Sequence, residues 1–174
     1  PENRNDPALR RIGWLACGTY ASNIAWSIQA QLSGLSWPSL AFISAGAANA
    51  TAALVEAERT PSAQLARYTL GPLAGWLSLA TFANMEATLN DRYGRPAPRA
   101  EERRAIALLG AATATAGAVS LASRGSIPYA AAVGWGLAGT AVRNFRERRP
   151  AVALTACAGI ALLAGITAAV RFKR

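Results

Sequence analysis

The 174-residue sequence contains no histidine, only two cysteines and a single lysine. Without an imidazole, the chain cannot supply histidine-based catalysis, a histidine-ligated metal, or a histidine-ligated haem or chlorophyll. Cys17 and Cys157 lie far apart, which excludes a disulfide scaffold. The dominance of apolar runs excludes a disordered tail. We therefore expect no cofactor that is held covalently or by histidine.

Alanine, glycine and arginine dominate the residues that are present. The chain has 42 alanines and 15 glycines, and 17 of its 18 basic residues are arginine, a bias that indicates a GC-rich bacterial genome. Hydrophobic residues make up 52% of the chain, yet the mean hydropathy is only +0.19, because alanine adds little hydropathy. The overall composition is therefore less informative than the spacing of the charges.

The charged residues are clustered and leave long uncharged runs between them. These runs cover residues 12–55, 105–123, 125–142 and 150–170, and residues 68–89 carry only Glu86. An alanine-rich soluble bundle would place a charge on nearly every exposed helical turn. About 20 uncharged residues are enough to cross a hydrocarbon core roughly 30 Å thick. The pattern predicts an integral membrane protein.

The predicted fold is all-α, a polytopic transmembrane helix bundle with six spans. The first uncharged run is too long for one span and is broken by the turn-forming segment 33–38, which ends in proline. The predicted helices cover about residues 9–32, 36–57, 64–90, 103–123, 127–145 and 150–171. Because most connections are short, we expect sequential helices to be antiparallel neighbours.

The basic residues divide equally between the two sides of this topology, nine on each, so the positive-inside rule does not fix the orientation. The density of arginine slightly favours a cytoplasmic location for residues 91–104 and 143–149. Charge scattered over both sides is better suited to lipid headgroups than to nucleic acid. We predict a multi-pass protein of the bacterial inner membrane, cytoplasmic or intracytoplasmic, whose partners include membrane lipids and no nucleic acid.

Polar and aromatic side chains within the spans form the candidate site. The first helix places Asn23 and Trp26 on one face, and the third helix does the same with Trp76, Ala80, Thr81 and Asn84. Amides inside hydrocarbon need partners. Two interpretations stay open: a ligand pocket with indole walls and amide donors, or interhelical hydrogen bonds with aromatic packing.

Glu86 is the one acidic residue within a predicted span. It lies one turn from the polar end of the third helix, where it could reach the interface or pair with an arginine such as Arg92. The functional alternative is a proton or ligand contact. Elsewhere the sequence shows no nucleophile–base pair, no carboxylate pair within a span, no phosphate loop and no metal-ligand spacing, which predicts a protein that is not an enzyme.

Two segments resemble the TspO family of tryptophan-rich sensory and translocator proteins. Asn23-Ile-Ala-Trp26-Ser27 resembles an element of that family's third helix, and residues 72–90 resemble its fifth helix. The second segment carries the family's Pro, Trp, Ala-Thr, Asn and terminal Leu-Asn in order. The resemblance implies a bundle cavity for hydrophobic ligands, usually porphyrins or sterols. It assigns cavity positions to Trp26, Trp76, Ala80 and Asn84, and matches Asn23 to the third-helix asparagine.

The rest of the chain departs from the five-helix TspO pattern. The first two TspO helices have no counterpart, so we expect either a fragment of a longer TspO-like protein or additional upstream residues. Three regions result: 1–90 with three TspO-like spans, 91–102 as an arginine- and proline-rich loop, and 103–174 with three further spans. The last region resembles the C-terminal extension of larger bacterial TspO-like proteins.

Three functions are compatible with these features. The first is a non-enzymatic TspO-like protein that binds a tetrapyrrole, sterol or other hydrophobic ligand, with porphyrin or lipid as the expected ligand. The second is a structural or assembly subunit of a larger photosynthetic or respiratory membrane complex. The third is a transporter of small hydrophobic molecules. Helices lined with small residues suit docking within a complex or in a homodimer, as well as packing within one chain.

Overall fold

The structure, a computed structural model, describes residues 6–173. The helices within this range are α1 (Pro7–Ser33), α2 (Trp37–Arg59), α3 (Gln64–Tyr93), α4 (Pro98–Ala122), α5 (Ile127–Arg146) and α6 (Pro150–Phe172). A single 3-10 turn, Pro61–Ala63, joins α2 to α3, and residues 6–173 contain no strand. The predicted all-α fold with six helices is confirmed, and most helix ends lie within three residues of the predicted ones.

Proline and short polar side chains define where the helices begin. A proline occupies the first turn of α1, α2, α4, α5 and α6, where its missing N–H leaves no helical hydrogen bond unmade. Asp6 caps α1 by accepting a hydrogen bond from the Ala8 N–H at 2.9 Å. Gly34, with φ of +69°, permits the tight turn between α1 and α2.

The connection between α3 and α4 is shorter than the sequence suggested. We expected a loop over residues 91–102, but α3 continues to Tyr93 and α4 begins at Pro98, which leaves only residues 94–97 between them. Charged residues at a helix end can reach water, so they do not interrupt the helix there. Glu101 also lies in the first turn of α4, where a negative charge interacts favourably with the helix dipole.

Three helices, α2, α4 and α6, are long and apolar enough to cross a membrane by length and composition. They alternate along the chain with α1, α3 and α5, which have 27, 30 and 20 residues. At 1.5 Å per residue, even 20 residues reach about 30 Å, the thickness of the hydrocarbon core. The molecule is a membrane protein built as a helix bundle.

The packing order of the helices differs from their order in sequence. α1 packs on α2, α2 on α3, α3 on α5, α5 on α6, and α6 on α4. The expectation that sequential helices are neighbours is correct for α1–α2–α3 and α5–α6. It is wrong for α4, whose main partner is α6. The reason is that α3 brings Gly71 and Gly75 against the backbone of α5 at Pro128 and Tyr129, so α5 lies next to α3.

Two buried hydrogen bonds also join helices that are not consecutive. Tyr129 Oη of α5 donates to Ser78 Oγ of α3 at 3.3 Å. Ser120 Oγ of α4 and Thr167 Oγ1 of α6 lie 2.9 Å apart. Hydroxyls buried inside a membrane bundle need such partners, and these pairs therefore fix which helix faces meet.

Candidate ligand site

Asn84 is the most buried polar residue of the predicted site. It lies in the C-terminal half of α3 and is only 4% exposed. Its Oδ1 accepts hydrogen bonds from Ser39 Oγ of α2 and from Thr88 Oγ1, each at 3.3 Å. Its Nδ2 is buried and has no acceptor among residues 6–173. The amide therefore joins α3 to α2 through its oxygen and leaves a hydrogen-bond donor free.

Ser39 reaches Asn84 because of the way α2 begins. The Ser36 backbone N–H donates to Ser39 Oγ at 2.8 Å, which holds the Ser39 side chain against the first turn of the helix. Ser39 is completely buried. The same hydroxyl also donates to the Ser36 carbonyl at 2.8 Å, so its one proton is shared between that carbonyl and the more distant Asn84 oxygen.

Trp26 brings a second buried donor to the same end of the bundle. Its ring is half-buried and packs against the hydrophobic core, and its Nε1 is buried without an acceptor among the described residues. Because α1, α2 and α3 run antiparallel in turn, the end of α1, the start of α2 and the end of α3 share one end of the bundle. An unpaired buried donor costs about 1–3 kcal/mol, so both groups call for an acceptor.

The remaining predicted residues differ in burial. Asn23 and Ala80 are half-buried, and Ala80 packs against the core. Thr81 is half-buried and its hydroxyl donates to the Leu77 carbonyl at 2.9 Å, so its own helix already satisfies it. Trp76 is 65% exposed and does not join Asn84 in the interior. Eight residues at 100° each turn the helix by about 80° beyond two full turns, so the two side chains leave α3 in different directions.

Glu86 is half-buried on α3, and no ion pair to it forms among residues 6–173. The pairing with Arg92 considered from the sequence is therefore not present. Within the same range, no group of three or more cysteine, aspartate, glutamate or histidine side chains is arranged to hold a metal ion. Glu86 is therefore an acidic side chain on α3 without an ion-pair partner in the described range.

Two open grooves lie on the surface of the bundle, and neither is lined by the six predicted residues. One, of about 390 Å³, follows the start of α1 beside Arg10, Arg11 and Trp14. The other, of about 490 Å³, follows α5 from Trp135 to Glu147. At its polar end Arg143 Nε donates to Glu147 Oε1 at 2.8 Å, and this hydrogen bond lowers the pKa of Glu147 from its ordinary value.

Sequence reasoning missed the two hydroxyl partners of Asn84 Oδ1. Thr88 is four residues further along α3, which places it on the same helix face and makes it identifiable from spacing. Ser39 could be recognised as a helix-start residue from Ser36-Trp-Pro-Ser39. Its contact with Asn84 depends on the packing of α2 against α3, which no local pattern predicts.

The fold and these buried groups define a class: a multi-helix membrane protein with an amide and an indole donor inside one end of the bundle. Within this class the chain belongs to the TSPO-like protein family, whose model matches residues 1–169. The match extends through α4, α5 and most of α6, whereas the motifs noted in the sequence lie in α1 and α3. Neither the curated proteins nor the solved structures compared with the chain include a match.

Proposed function

We propose that this TspO-type membrane protein binds a hydrophobic ligand that carries a hydrogen-bond acceptor, at the end of the bundle formed by α1, α2 and α3. A tetrapyrrole or a sterol has the required chemistry. The protein acts without catalysis, and its arginine- and alanine-rich composition favours a bacterial inner membrane. The observation that supports the proposal is the presence of two buried donors, Asn84 Nδ2 and Trp26 Nε1, that have no acceptor in the described part of the chain.

The chemistry of these donors narrows the ligand class. An amide N–H and an indole N–H both suit a carboxylate, such as the propionate of a tetrapyrrole, and charge-assisted hydrogen bonds are the stronger kind. A sterol hydroxyl offers a neutral acceptor instead. Because the chain has no histidine, a porphyrin would be held by stacking and hydrogen bonds and not through imidazole coordination.

The test is a titration of the purified protein with protoporphyrin IX, followed by quenching of tryptophan fluorescence. We expect saturable quenching, with about tenfold weaker affinity in Asn84→Leu, because one hydrogen bond to a ligand is lost. Trp26→Phe should weaken binding to a similar extent. Trp76→Phe is the matched aromatic control, since the Trp76 side chain is mostly exposed, and it should keep the affinity of the wild type.

A second control separates ligand binding from the local structure around Asn84. Thr88→Val removes one hydrogen bond to Asn84 Oδ1 but leaves Nδ2 in place, so affinity should change little. Absence of saturable quenching in the wild type would refute the proposal. So would a loss of affinity in Trp76→Phe with none in Trp26→Phe, because the ligand would then lie on the outer side of α3.

One observation favours the alternative of a subunit in a larger membrane complex. α1 packs mainly against α2, and its outer face exposes Trp14, Tyr20, Ile24, Ile28 and Leu32. A native purification without crosslinking should retain large partners if this face docks in a complex. A clean monomer or small homo-oligomer would count against that alternative and leave the ligand proposal intact.

A further inference from the structure

The outer face of α5 carries a groove that is apolar along most of its length and basic at one end. Trp135 is 83% exposed and Val142 is 51% exposed, so neither is covered by a neighbouring helix. The groove has a volume of about 490 Å³. Its lining includes Trp135, Ala138, Gly139, Val142, Arg143 and Arg146. These positions recur every three or four residues and therefore lie on one side of the helix.

The middle of this groove is a trough with room for an acyl chain. Gly139 has no side chain, and a Cβ placed there would meet no atom within 4 Å. Ala138 beside it adds only a methyl group, so the trough runs between the larger side chains of Trp135 and Val142. From Trp135 to Arg146 the helix rises about 16 Å, close to half of the hydrocarbon thickness. The trough and the basic end together therefore span about the depth of one leaflet.

The basic end of the groove has guanidinium groups available for a ligand. Arg146 forms no ion pair or side-chain hydrogen bond with another residue of the described range 6–173. Arg143 uses Nε for Glu147, but its side chain is 77% exposed. Glu147 and, at longer range, Glu86 oppose the charge of Arg143. Arg148 is exposed two residues beyond Arg146 and adds a third positive charge, which leaves this end net positive. Arg143 and Arg146 occupy the last turn of α5, at the level where a headgroup would lie.

We propose that this groove, which is independent of the site around Asn84, binds one anionic phospholipid. The acyl chain lies in the trough over Gly139, and the headgroup phosphate accepts hydrogen bonds from Arg143 and Arg146. A planar guanidinium matches the oxygens of a phosphate. A second copy of the chain is disfavoured as the occupant, because a two-fold dimer through this face would bring like charges to the same depth.

The test uses phospholipids brominated on the acyl chain, which quench a tryptophan that they touch. Vesicles containing either brominated phosphatidylglycerol or brominated phosphatidylcholine are compared, and the signal of Trp135 is obtained as the difference between wild type and Trp135→Phe. We expect phosphatidylglycerol to occupy the site with about tenfold preference, since basic residues near the surface attract anionic lipids. The double variant Arg143→Gln, Arg146→Gln should remove this preference.

Two further variants decide the outcome. Arg99→Gln with Arg103→Gln removes the same charge from exposed residues at the start of α4, at the same end of the bundle, and should keep the preference. Gly139→Leu keeps both arginines but fills the trough, and should lose the preference. Equal quenching by the two lipids in the wild type, or an unchanged preference in Gly139→Leu, would overturn the proposal. A dimer that Gly139→Leu dissociates, with no lipid preference, would assign the face to a second copy.

Discussion

At Gly75, α3 and α5 come so close that a single methyl group does not fit. A Cβ at this position would lie 2.8 Å from the Tyr129 carbonyl oxygen and 2.9 Å from Ala132 Cβ, and backbone atoms cannot move aside easily. We expect Gly75→Ala to lower the free energy of unfolding by about 1–3 kcal/mol, as overpacking usually does. Thermal unfolding in detergent measures this effect.

Gly134→Ala is the matched control for that substitution. Gly134 is also a helical glycine, but a Cβ there meets nothing within 4 Å, and alanine favours a helix over glycine. Its unfolding temperature should stay the same or rise slightly. If Gly75→Ala and Gly134→Ala behaved alike, the close approach of α3 and α5 would be contradicted.

The burial of individual site residues was only partly predictable from the sequence. A polar amide in an apolar span must face a partner, and Asn84 is indeed buried. Trp76 was assigned to the same interior face because it lies two turns away, yet it is mostly exposed. A spacing rule tells which residues share a broad face of a helix. It does not tell which part of that face a neighbouring helix covers. Trp76 is exposed because no neighbouring helix covers its part of the face.

At the scale of helices, Arg67 joins the end of α2 to the start of α3. Its Nε donates to the Ala57 carbonyl at 2.9 Å and its Nη2 donates to the Thr60 carbonyl at 2.7 Å. Each carbonyl also accepts a backbone N–H, Ala57 from Thr60 at 3.2 Å and Thr60 from Ala63 at 3.1 Å, so Arg67 adds a second hydrogen bond to both. Lysine cannot reproduce this two-pronged contact, so we expect Arg67→Lys to destabilise the protein by about 1–2 kcal/mol. Chemical or thermal unfolding in detergent measures the difference.

Arg59→Lys provides the comparison for Arg67. Arg59 lies in the last turn of α2 and is exposed, so the exchange keeps its charge near the helix end and disturbs no packing. We expect a change within about 0.5 kcal/mol, as for most surface substitutions. A loss of stability in Arg59→Lys as large as in Arg67→Lys would show that the exchange of arginine for lysine itself, and not the loss of the carbonyl contacts, is responsible.

The helices themselves were predictable, while their neighbours were not. Prolines and charge-free runs predicted the ends of α5 and α6 to within about one residue, because both signals are local. Which helices meet depends on matching surfaces across the bundle. The pairing of α3 with α5 rests on Gly71 and Gly75 against Pro128 and Tyr129, and small residues are so frequent in this chain that they do not single out one pair.

At the scale of the whole molecule, contacts at both ends of the bundle support an alternating up-and-down topology. At one end Ser62 Oγ donates to Asp6 Oδ2 at 3.4 Å, which joins the start of α1 to the α2–α3 connection. At the opposite end Arg149 donates to Glu101 at 3.0 Å, which joins the start of α4 to the α5–α6 connection. The equal division of basic residues does not determine which end of the bundle faces the cytoplasm. The alternating topology nevertheless determines which helix termini share an end of the bundle.

The up-and-down topology predicts that residues 10 and 173 lie on the same side of the membrane, because six crossings return the chain to the side where it started. If only α2, α4 and α6 crossed, the ends would lie on opposite sides. The measurement uses a background of Cys17→Ala with Cys157→Ala, to which Arg10→Cys, Arg95→Cys or Lys173→Cys is added singly. In sealed vesicles of one orientation, a membrane-impermeant maleimide should label positions 10 and 173 to the same extent. Position 95 should be labelled only where those two are protected, and protected where they are labelled. Opposite labelling of positions 10 and 173 would contradict six crossings. Because α3 packs between α2 and α5, it must cross the membrane together with them.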